Sequence, residues 1–586
     1  MTPARAAPPL APTLCLAAAL RLWGLGARSL WYDELFAIHH SRLDLRTTAD
    51  ALTGAAFDDL HPPLYSLLAQ GSAAALGASE WSARALSAAA GVAAVALAYA
   101  LGRELRRPSL GAWAALLLAV DPFAVYYARE ARMYALLACL SLASSLALAR
   151  LWRPPASRLA LAAWAALSSA LALTHYFGAL ALAAQLALVL AARPPRAQLA
   201  RWCAAFALPA AALAPWIPVV AWQSRHGPTG HLGASPDAWR DALLWVGGSH
   251  PRLPWFTALP LLALAAYGAL RDAPAPVEEV SAPSAPRRAW MVPLVIGLGW
   301  TALAVASRSR VSAWAAGFRA SVGQTPSLAA REGEVVATAV TLAGLAWLLV
   351  SAALAVLQRE TPAREGVAVA RSPRWVALSS IAVPLAVTAA VEASGRPLLV
   401  PRSLIALAPM VTLLAAAGVD ALRGRARWAA GGAVTLAMLG VSAAMVPFPW
   451  WRAQARSWAT HTHAEWRALR EAVPREPALP VAVLQGYSTD AVLHYLSDRD
   501  VLRLTADGDL ARVGQAQHRG RGPRRWRPGE VFDAPSFYWV DPWAPGRRLV
   551  SAREALSAVI RRGARCAALT ELPPDATVYR CDARRP

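Results

Sequence analysis

The residues with chemistry to offer sit in four short motifs. The first is SLWYDELFAIHH, where Asp33 and Glu34 follow an apolar stretch and are flanked by Trp31 and Tyr32. A carboxylate at a membrane surface could take a proton from a hydroxyl or an amine. It could equally be the acidic first turn of a helix, complementing its dipole. Asp44, Asp50, Asp58 and Asp59 follow, then HPPLY at His61–Tyr65. These clustered acids could hold a divalent metal ion, but no ligand spacing demands one, and the residues name no certain cofactor. The second motif is DPFAVYYAREARMYAL, with Arg129, Glu130 and Arg132 close to Tyr126, Tyr127 and Tyr134. A guanidinium fork suits a phosphate; the same residues could instead be an Arg–Glu pair locking two helix ends. The third is THYF, with His175 among aromatics, either packed at the interface or lining a pocket. The fourth is PLLVPRSLIALAP, where Pro401 opens a helix and Arg402 follows. Arg402 could snorkel to the headgroups or hold a lipid phosphate.

These motifs need a scaffold, and the composition says which kind. Of 586 residues, 56% are hydrophobic and 16% charged, and the mean hydropathy is +0.35. Soluble domains carry about 25% charged residues. The balance argues against a soluble enzyme, a disordered chain or a disulfide scaffold and points to a polytopic membrane protein. No Lys and no Asn occur, so all 58 basic residues are Arg and the formal net charge is +22. Lysine chemistry and Asn-linked glycosylation of this chain are excluded. The Arg residues are scattered between apolar stretches, which argues against a nucleic-acid partner.

A span needs about 20 mainly apolar residues. Thirteen are expected, near 8–25, 81–102, 109–125, 131–150, 158–174, 177–193, 202–222, 253–270, 289–307, 334–357, 375–393, 398–420 and 428–447. Alternate loops hold clusters of Arg, at 103–107, 150–158, 193–201, 271–288, 359–374 and 423–427. By the positive-inside rule that side is cytoplasmic. The four motifs, a first loop at 26–80 and the tail are then extracytoplasmic. The expected fold class is all-α polytopic over 1–447, with a small soluble α/β domain over 448–586. In that domain Val481–Leu484, Ser536–Val540 and Val578–Cys581 read as strands, and Thr489–Ser497 and Ser551–Arg562 as helices. Cys566 and Cys581 fall in the tail, where an oxidising compartment permits a disulfide.

All four motifs converge on one membrane face. A cationic grip for a lipid phosphate beside a carboxylate base suggests transfer from a lipid-linked donor. At this point RSLWYDELFAI, HPPLYSLL, the block from Glu80 to Leu105, PFAVYYAREARMYALL, THYFGALALAAQ and VPRSLIALAP resemble a known family. They are similar to bacterial membrane glycosyltransferases of the GT-C superfamily. The branch is that of the dolichyl-phosphate-mannose protein mannosyltransferases and lipid A aminoarabinose transferases (glycosyltransferase family 39/83-like). The similarity covers most of the first 220 residues and about 395–420.

The resemblance implies a thirteen-span GT-C fold in a bacterial inner or plasma membrane, with an extracytoplasmic site. It implies a polyprenyl-phosphate sugar donor and an inverting displacement by a hydroxyl or amine of a protein, lipid or cell-envelope glycan. Asp33 is the implied general base, assisted or oriented by Glu34. Arg132 and Arg402 are implied at the donor phosphate, with Glu130, Tyr134 and His61 lining the site. From the residues themselves, Arg129 and Tyr134 are further candidates at the phosphate, and Tyr65, Tyr127 and His175 in the pocket. Two positions depart from the pattern: Ser403 stands where an aromatic is usual, and His61 where the aminoarabinose branch has Lys. A transporter or flippase of lipid-linked sugars is the competing expectation. Transporters often show repeated halves and charged groups at the midplane; here no repeat is evident and the ionisable residues gather at one face.

Overall fold

The structure, a computed structural model, describes residues 7–31, 33–35, 61–77, 79–105, 107–152, 158–193, 196–217, 219, 237–271, 369–393, 399–446, 466–474, 479, 481–484, 492, 494–496, 501–504, 510–512, 536–541, 565–572 and 576–582. The helices in chain order are α1 (Leu10–Leu22), α2 (Leu64–Leu76), α3 (Glu80–Glu104), α4 (Pro108–Val120), α5 (Pro122–Ala128), α6 (Tyr134–Leu151), α7 (Arg158–Ala172), α8 (Phe177–Ala191) and α9 (Arg196–Leu213). They continue as α10 (Ala238–Val246), α11 (Leu259–Arg271), α12 (Pro373–Ala393), α13 (Ala408–Ala421), α14 (Gly424–Met445) and the single turn α15 (Leu469–Ala472). Eleven of the thirteen expected spans coincide with a helix here; those at 289–307 and 334–357 lie outside the described residues. Among the described residues, five helices are long and apolar enough to cross a membrane, or six if the bent pair α4–α5 is one span. The chain is a membrane protein, and the count of thirteen crossings goes beyond what these helix lengths establish.

The bend between α4 and α5 is 58° and has a chemical cause. Pro122 has no N–H, so the carbonyl four residues earlier, on Leu118, loses its helical donor. Arg21 supplies replacements, donating to the Leu118 and Ala119 carbonyls at 3.1 and 2.8 Å, and Ser442 Oγ donates to Val120 O at 2.7 Å. Asp121 restarts the helix, its Oδ1 accepting the Ala124 N–H at 2.8 Å. The chain before α13 shows the same logic. Pro409 cannot bond the Ile405 carbonyl, and Pro401–Leu407 takes a 3₁₀ form instead, with Ala408 N–H turned to Ile405 O. Arg402 sits on the first turn of that segment. Gly268 of α11 and Gly418 of α13 let two backbones meet, since a Cβ on either would strike a carbonyl of the other helix. Such small-residue crossings are the usual close contact between membrane helices.

The strands are β1 (Val481–Leu484), β2 (Val501–Leu504), β3 (Leu510–Arg512), β4 (Ser536–Asp541), β5 (Arg565–Leu572) and β6 (Ala576–Asp582). They form one mixed sheet in the order β3-β2-β1-β4-β6-β5, with β1 parallel to both β2 and β4. The sequence reading found β1, β4 and part of β6; β2, β3 and β5 were not expected. Of the two expected tail helices, only Val492 and 494–496 fall within the described residues, and 551–562 lies outside them. Cys566 and Cys581, partners across β5–β6, are joined by a disulfide. Val481 pairs with Tyr538 and Val540 with Val578, which puts these four on one face of the sheet. That face is buried with Trp466, Leu469, Val473, Val492, Tyr495 and Leu496, and also with Leu30 and Leu35 from the far end of the chain.

Candidate active site

The site forms where the segment after α1 meets α3, the α5–α6 junction and the turn before α13. α1 ends at Trp23, and Gly24 follows in the left-handed region (φ 57°), as helix C-termini favour. The chain then runs through turns to a short helical turn at 33–35 that carries Asp33 and Glu34.

The two adjacent carboxylates have different fates. Glu34 is fully buried and saturated. Its oxygens accept Arg84 Nε at 2.7 Å and Nη2 at 2.6 Å, the Ala131 N–H at 2.8 Å and the Trp31 N–H at 3.3 Å. Arg84 reaches further, donating to the carbonyls of Leu25, Arg28 and Ser29 at 2.9–3.0 Å. This bidentate pair staples the segment to α3. Its geometry suits Glu34 to orienting its neighbour and leaves no oxygen for chemistry. Asp33 is different. Its Oδ2 accepts Arg402 Nη1 at 2.9 Å, its side chain is 16% exposed, and no other described residue bonds its carboxylate. Arg402 is 25% exposed and lies over the Tyr134 ring at 5.8 Å. Four of its five donors are therefore not used on Asp33.

Arg132 closes the other side. Its Nη1 donates to the Asp33 carbonyl at 3.2 Å and its Nη2 lies 3.1 Å from His61 Nδ1. With Arg donating, His61 Nδ1 must accept. The His61 ring lies 5.2 Å from that of His175, which in turn lies 5.9 Å from Tyr134. His175 Nδ1 accepts the Phe177 N–H at 3.1 Å, fixing the ring at the start of α8. Tyr127 and Tyr134 pack edge-to-face at 5.1 Å, backed by Trp245 of α10. Glu130 is buried beside these groups, with Oε2 lacking any partner among the described residues. Burial holds its carboxyl up at about 8, helped by the negative charge of Glu34.

Two expected site residues stand elsewhere. Arg129 turns to the end of α1, donating to the carbonyls of Leu20, Arg21 and Gly24 at 3.0–3.2 Å, and makes no hydrogen bond to Asp33 or Arg402. A helix end leaves such carbonyls without partners and favours a cation there. Burial, with Arg28, Arg84 and Arg21 nearby, lowers this guanidinium to about 9. Tyr65 is buried behind the site, its hydroxyl against Ser87 Oγ at 2.9 Å, and Ser87 in turn donates to Arg132 O at 2.9 Å. It supports Arg132 rather than lining a pocket. The site residues missed from the sequence are Arg84 and Trp245. Arg84 had a signal, a lone Arg in the first turn of a span, where only a partner makes it affordable; Trp245 had none. Among the described residues no group of three or more His, Cys, Asp or Glu comes together around a metal position; Asp44, Asp50, Asp58 and Asp59 lie outside them.

Residues 60–222, which supply His61, Arg84, Glu130, Arg132, Tyr134 and His175, match the family described as dolichyl-phosphate-mannose-protein mannosyltransferase. The match covers that segment alone, well under half of the chain. The resemblance to GT-C membrane glycosyltransferases read from the motifs is borne out there. No curated protein sequence matches the chain. Among solved structures it is loosely similar to ArnT from Cupriavidus metallidurans in the apo state, at 15% identity, 97% coverage of both chains and a TM-score of 0.45. The same protein bound to undecaprenyl phosphate gives 15%, 97% of both chains and 0.43. The Archaeoglobus fulgidus oligosaccharyltransferase gives 11% identity, 84% of this chain, 64% of that one and 0.42.

Proposed function

We propose that the protein is an integral membrane glycosyltransferase that moves a sugar from a polyprenyl-phosphate donor to an acceptor hydroxyl or amine. The observation that carries this reading is the half-open Asp33–Arg402 pair at 2.9 Å, ringed by Arg132, His61 and buried aromatics. In the resting arrangement Arg402 occupies Asp33. A donor phosphate would draw the guanidinium to itself, since a fork of five donors suits a phosphate better than a single contact to a carboxylate. That exchange frees Asp33 as the base while Arg402 holds the leaving group.

The acceptor oxygen or nitrogen then attacks the anomeric carbon from the side opposite the phosphate, so configuration inverts. The new bond forms as the carbon–oxygen bond to phosphate breaks. The bonding pair goes to the phosphate oxygen, and the acceptor proton passes to Asp33. Charge grows on the phosphate in the transition state, where preorganised donors are most effective. With no Lys in the chain, the protein's cations for that task are Arg402 and Arg132, or a protonated His61. The family match supports the donor class, and the Arg-rich loops support an extracytoplasmic site. Arg107, Arg150, Arg371 and Arg427 all engage Asp420 or residue Glu104, so those loops gather at the end opposite Arg402. The domains are then a transmembrane transferase body over 1–447 and an extracytoplasmic α/β domain over 448–586.

The test is sugar transfer by the purified protein from polyprenyl-phosphate sugars to hydroxyl and amine acceptors, with the product's anomeric configuration read by NMR. An inverted product supports the single displacement. A retained configuration, or movement of the intact lipid across the bilayer without transfer, would overturn it.

A further inference from the structure

The segment that carries Asp33 is held from two sides, and only one of them is the membrane body. Arg84 grips it from α3, as described. From the other side come residues far along the chain. Leu30 and Leu35, which flank Asp33, are both buried in the core of the C-terminal sheet, with Val481, Tyr538, Val540 and Val578. The Tyr495 hydroxyl accepts the Leu30 N–H at 2.8 Å and donates to Glu80 Oε1 at 3.3 Å, so one oxygen joins the tail, the loop and the start of α3. Arg467 donates through Nη2 to the carbonyls of Gly26 and Ala27, at 3.2 and 2.7 Å. Its backbone N–H reaches Ser29 Oγ at 3.1 Å, and its Nε lies 3.4 Å from Glu80. Arg470 in turn donates to Tyr495 O at 3.0 Å, tying the two gripping residues together.

We infer that the C-terminal domain is a positioning clamp for the base, with Tyr495 and Arg467 as positioning residues and Leu30 and Leu35 as the held points. This rests on the reading of Asp33 as the base. The physical reason is geometric. Asp33 lies three residues after Leu30 and two before Leu35, so buried leucines restrain its backbone on both sides. Catalytic groups must be held within fractions of an ångström by neighbours that are themselves locked. A loop pinned by Arg84 alone would be anchored on one face only. The clamp gives the sheet a task in the reaction although, among the described residues, no strand side chain bonds to Asp33 or Arg402.

The experiment uses the full chain in nanodiscs with two readouts, amide hydrogen exchange over 25–35 and the kinetics of sugar transfer. Tyr495→Phe removes one oxygen and leaves the ring packed. Losing the acceptor of a buried N–H should raise exchange at Leu30 about ten-fold and lower kcat by a similar factor, with KM for the donor unchanged. Leu469→Ala, in the core beneath the loop, should move both readouts the same way. Leu569→Ala, on the exposed face of the edge strand β5, should move neither. Unchanged exchange in both Tyr495→Phe and Leu469→Ala would overturn the clamp. Raised exchange with unchanged kcat would overturn its role in positioning the base. If the wild type transferred no sugar at all, the reading of Asp33 would fail, while the exchange arm would still report whether the tail holds the loop.

Discussion

Asp33 and Asp420 lie at the two ends of the Pro401–Ala421 segment, and both face arginines at almost the same distance. Asp420 has an Arg on each oxygen, Arg107 at 2.9 Å and Arg427 at 3.0 Å, and its side chain is 7% exposed. Asp33 has one Arg on one oxygen and is 16% exposed. The first is a closed knot that ties α4, α13 and α14 together. The second is an ion pair with capacity left over, in a place where a ligand can reach it. The difference teaches that an Asp–Arg pair at a helix end is not by itself a site. What separates these two carboxylates is whether the second oxygen is already taken. Glu34, saturated one residue from Asp33, makes the same point at short range.

The comparison breaks most visibly at its closed members. Asp420→Ala removes the carboxylate shared by Arg427 and the partly exposed Arg107, and Arg84→Ala leaves the buried Glu34 without its counter-charge. Each should cost roughly 3–5 kcal/mol of stability, as removal of one partner of a buried pair does. Thermal unfolding in detergent measures it. The two variants should then part: folded Asp420→Ala protein should transfer sugar at the wild-type rate, whereas Arg84→Ala should also lose transfer because it frees the Asp33 segment. A smaller effect is expected at the open pair. Arg402→Ala should weaken donor binding about 10- to 100-fold, equivalent to about 1.4–2.8 kcal/mol, with little change in melting temperature. An unchanged donor affinity would count against the phosphate role.

The smallest effect concerns Glu130. Its carboxyl is raised to about 8, so the fold favours the protonated form. That contribution is complete below the ordinary value near 4.5 and is lost as pH rises through about 8. Glu130→Gln keeps the neutral shape. The wild type should therefore lose melting temperature between pH 7 and 9 relative to this variant, and equal slopes would contradict the assignment.

Much of the helical body was legible because hydrophobic length is written locally, and eleven expected spans fall on helices. The bend at Asp121 and the 3₁₀ turn at Arg402 were half legible. Pro122 and Pro409 announce a missing donor, but nothing local says that Arg21 and Ser442 replace it. The site was legible as a set of motifs and not as a division of labour. Arg129 and Arg132 are three residues apart and chemically identical, yet one caps α1 and the other reaches Asp33 and His61. That outcome depends on which helix end lies opposite, a long-range fact. The grip of Arg467 and Tyr495 was invisible for the same reason, with more than 400 residues between partners. The strands β2 and β3 were missed because four and three residues carry little periodicity, and β5 because RCAALTEL does not alternate apolar with polar residues.

The central claim is that Asp33 takes the acceptor proton while Arg402 holds the donor. It is tested most directly by assaying Asp33→Asn for transfer and for donor binding in the same preparation, using a radiolabelled polyprenyl-phosphate sugar. The account predicts transfer reduced by at least about 10²-fold, the lower range for loss of a general base, with donor binding retained. Transfer at the wild-type rate by the folded variant would contradict it.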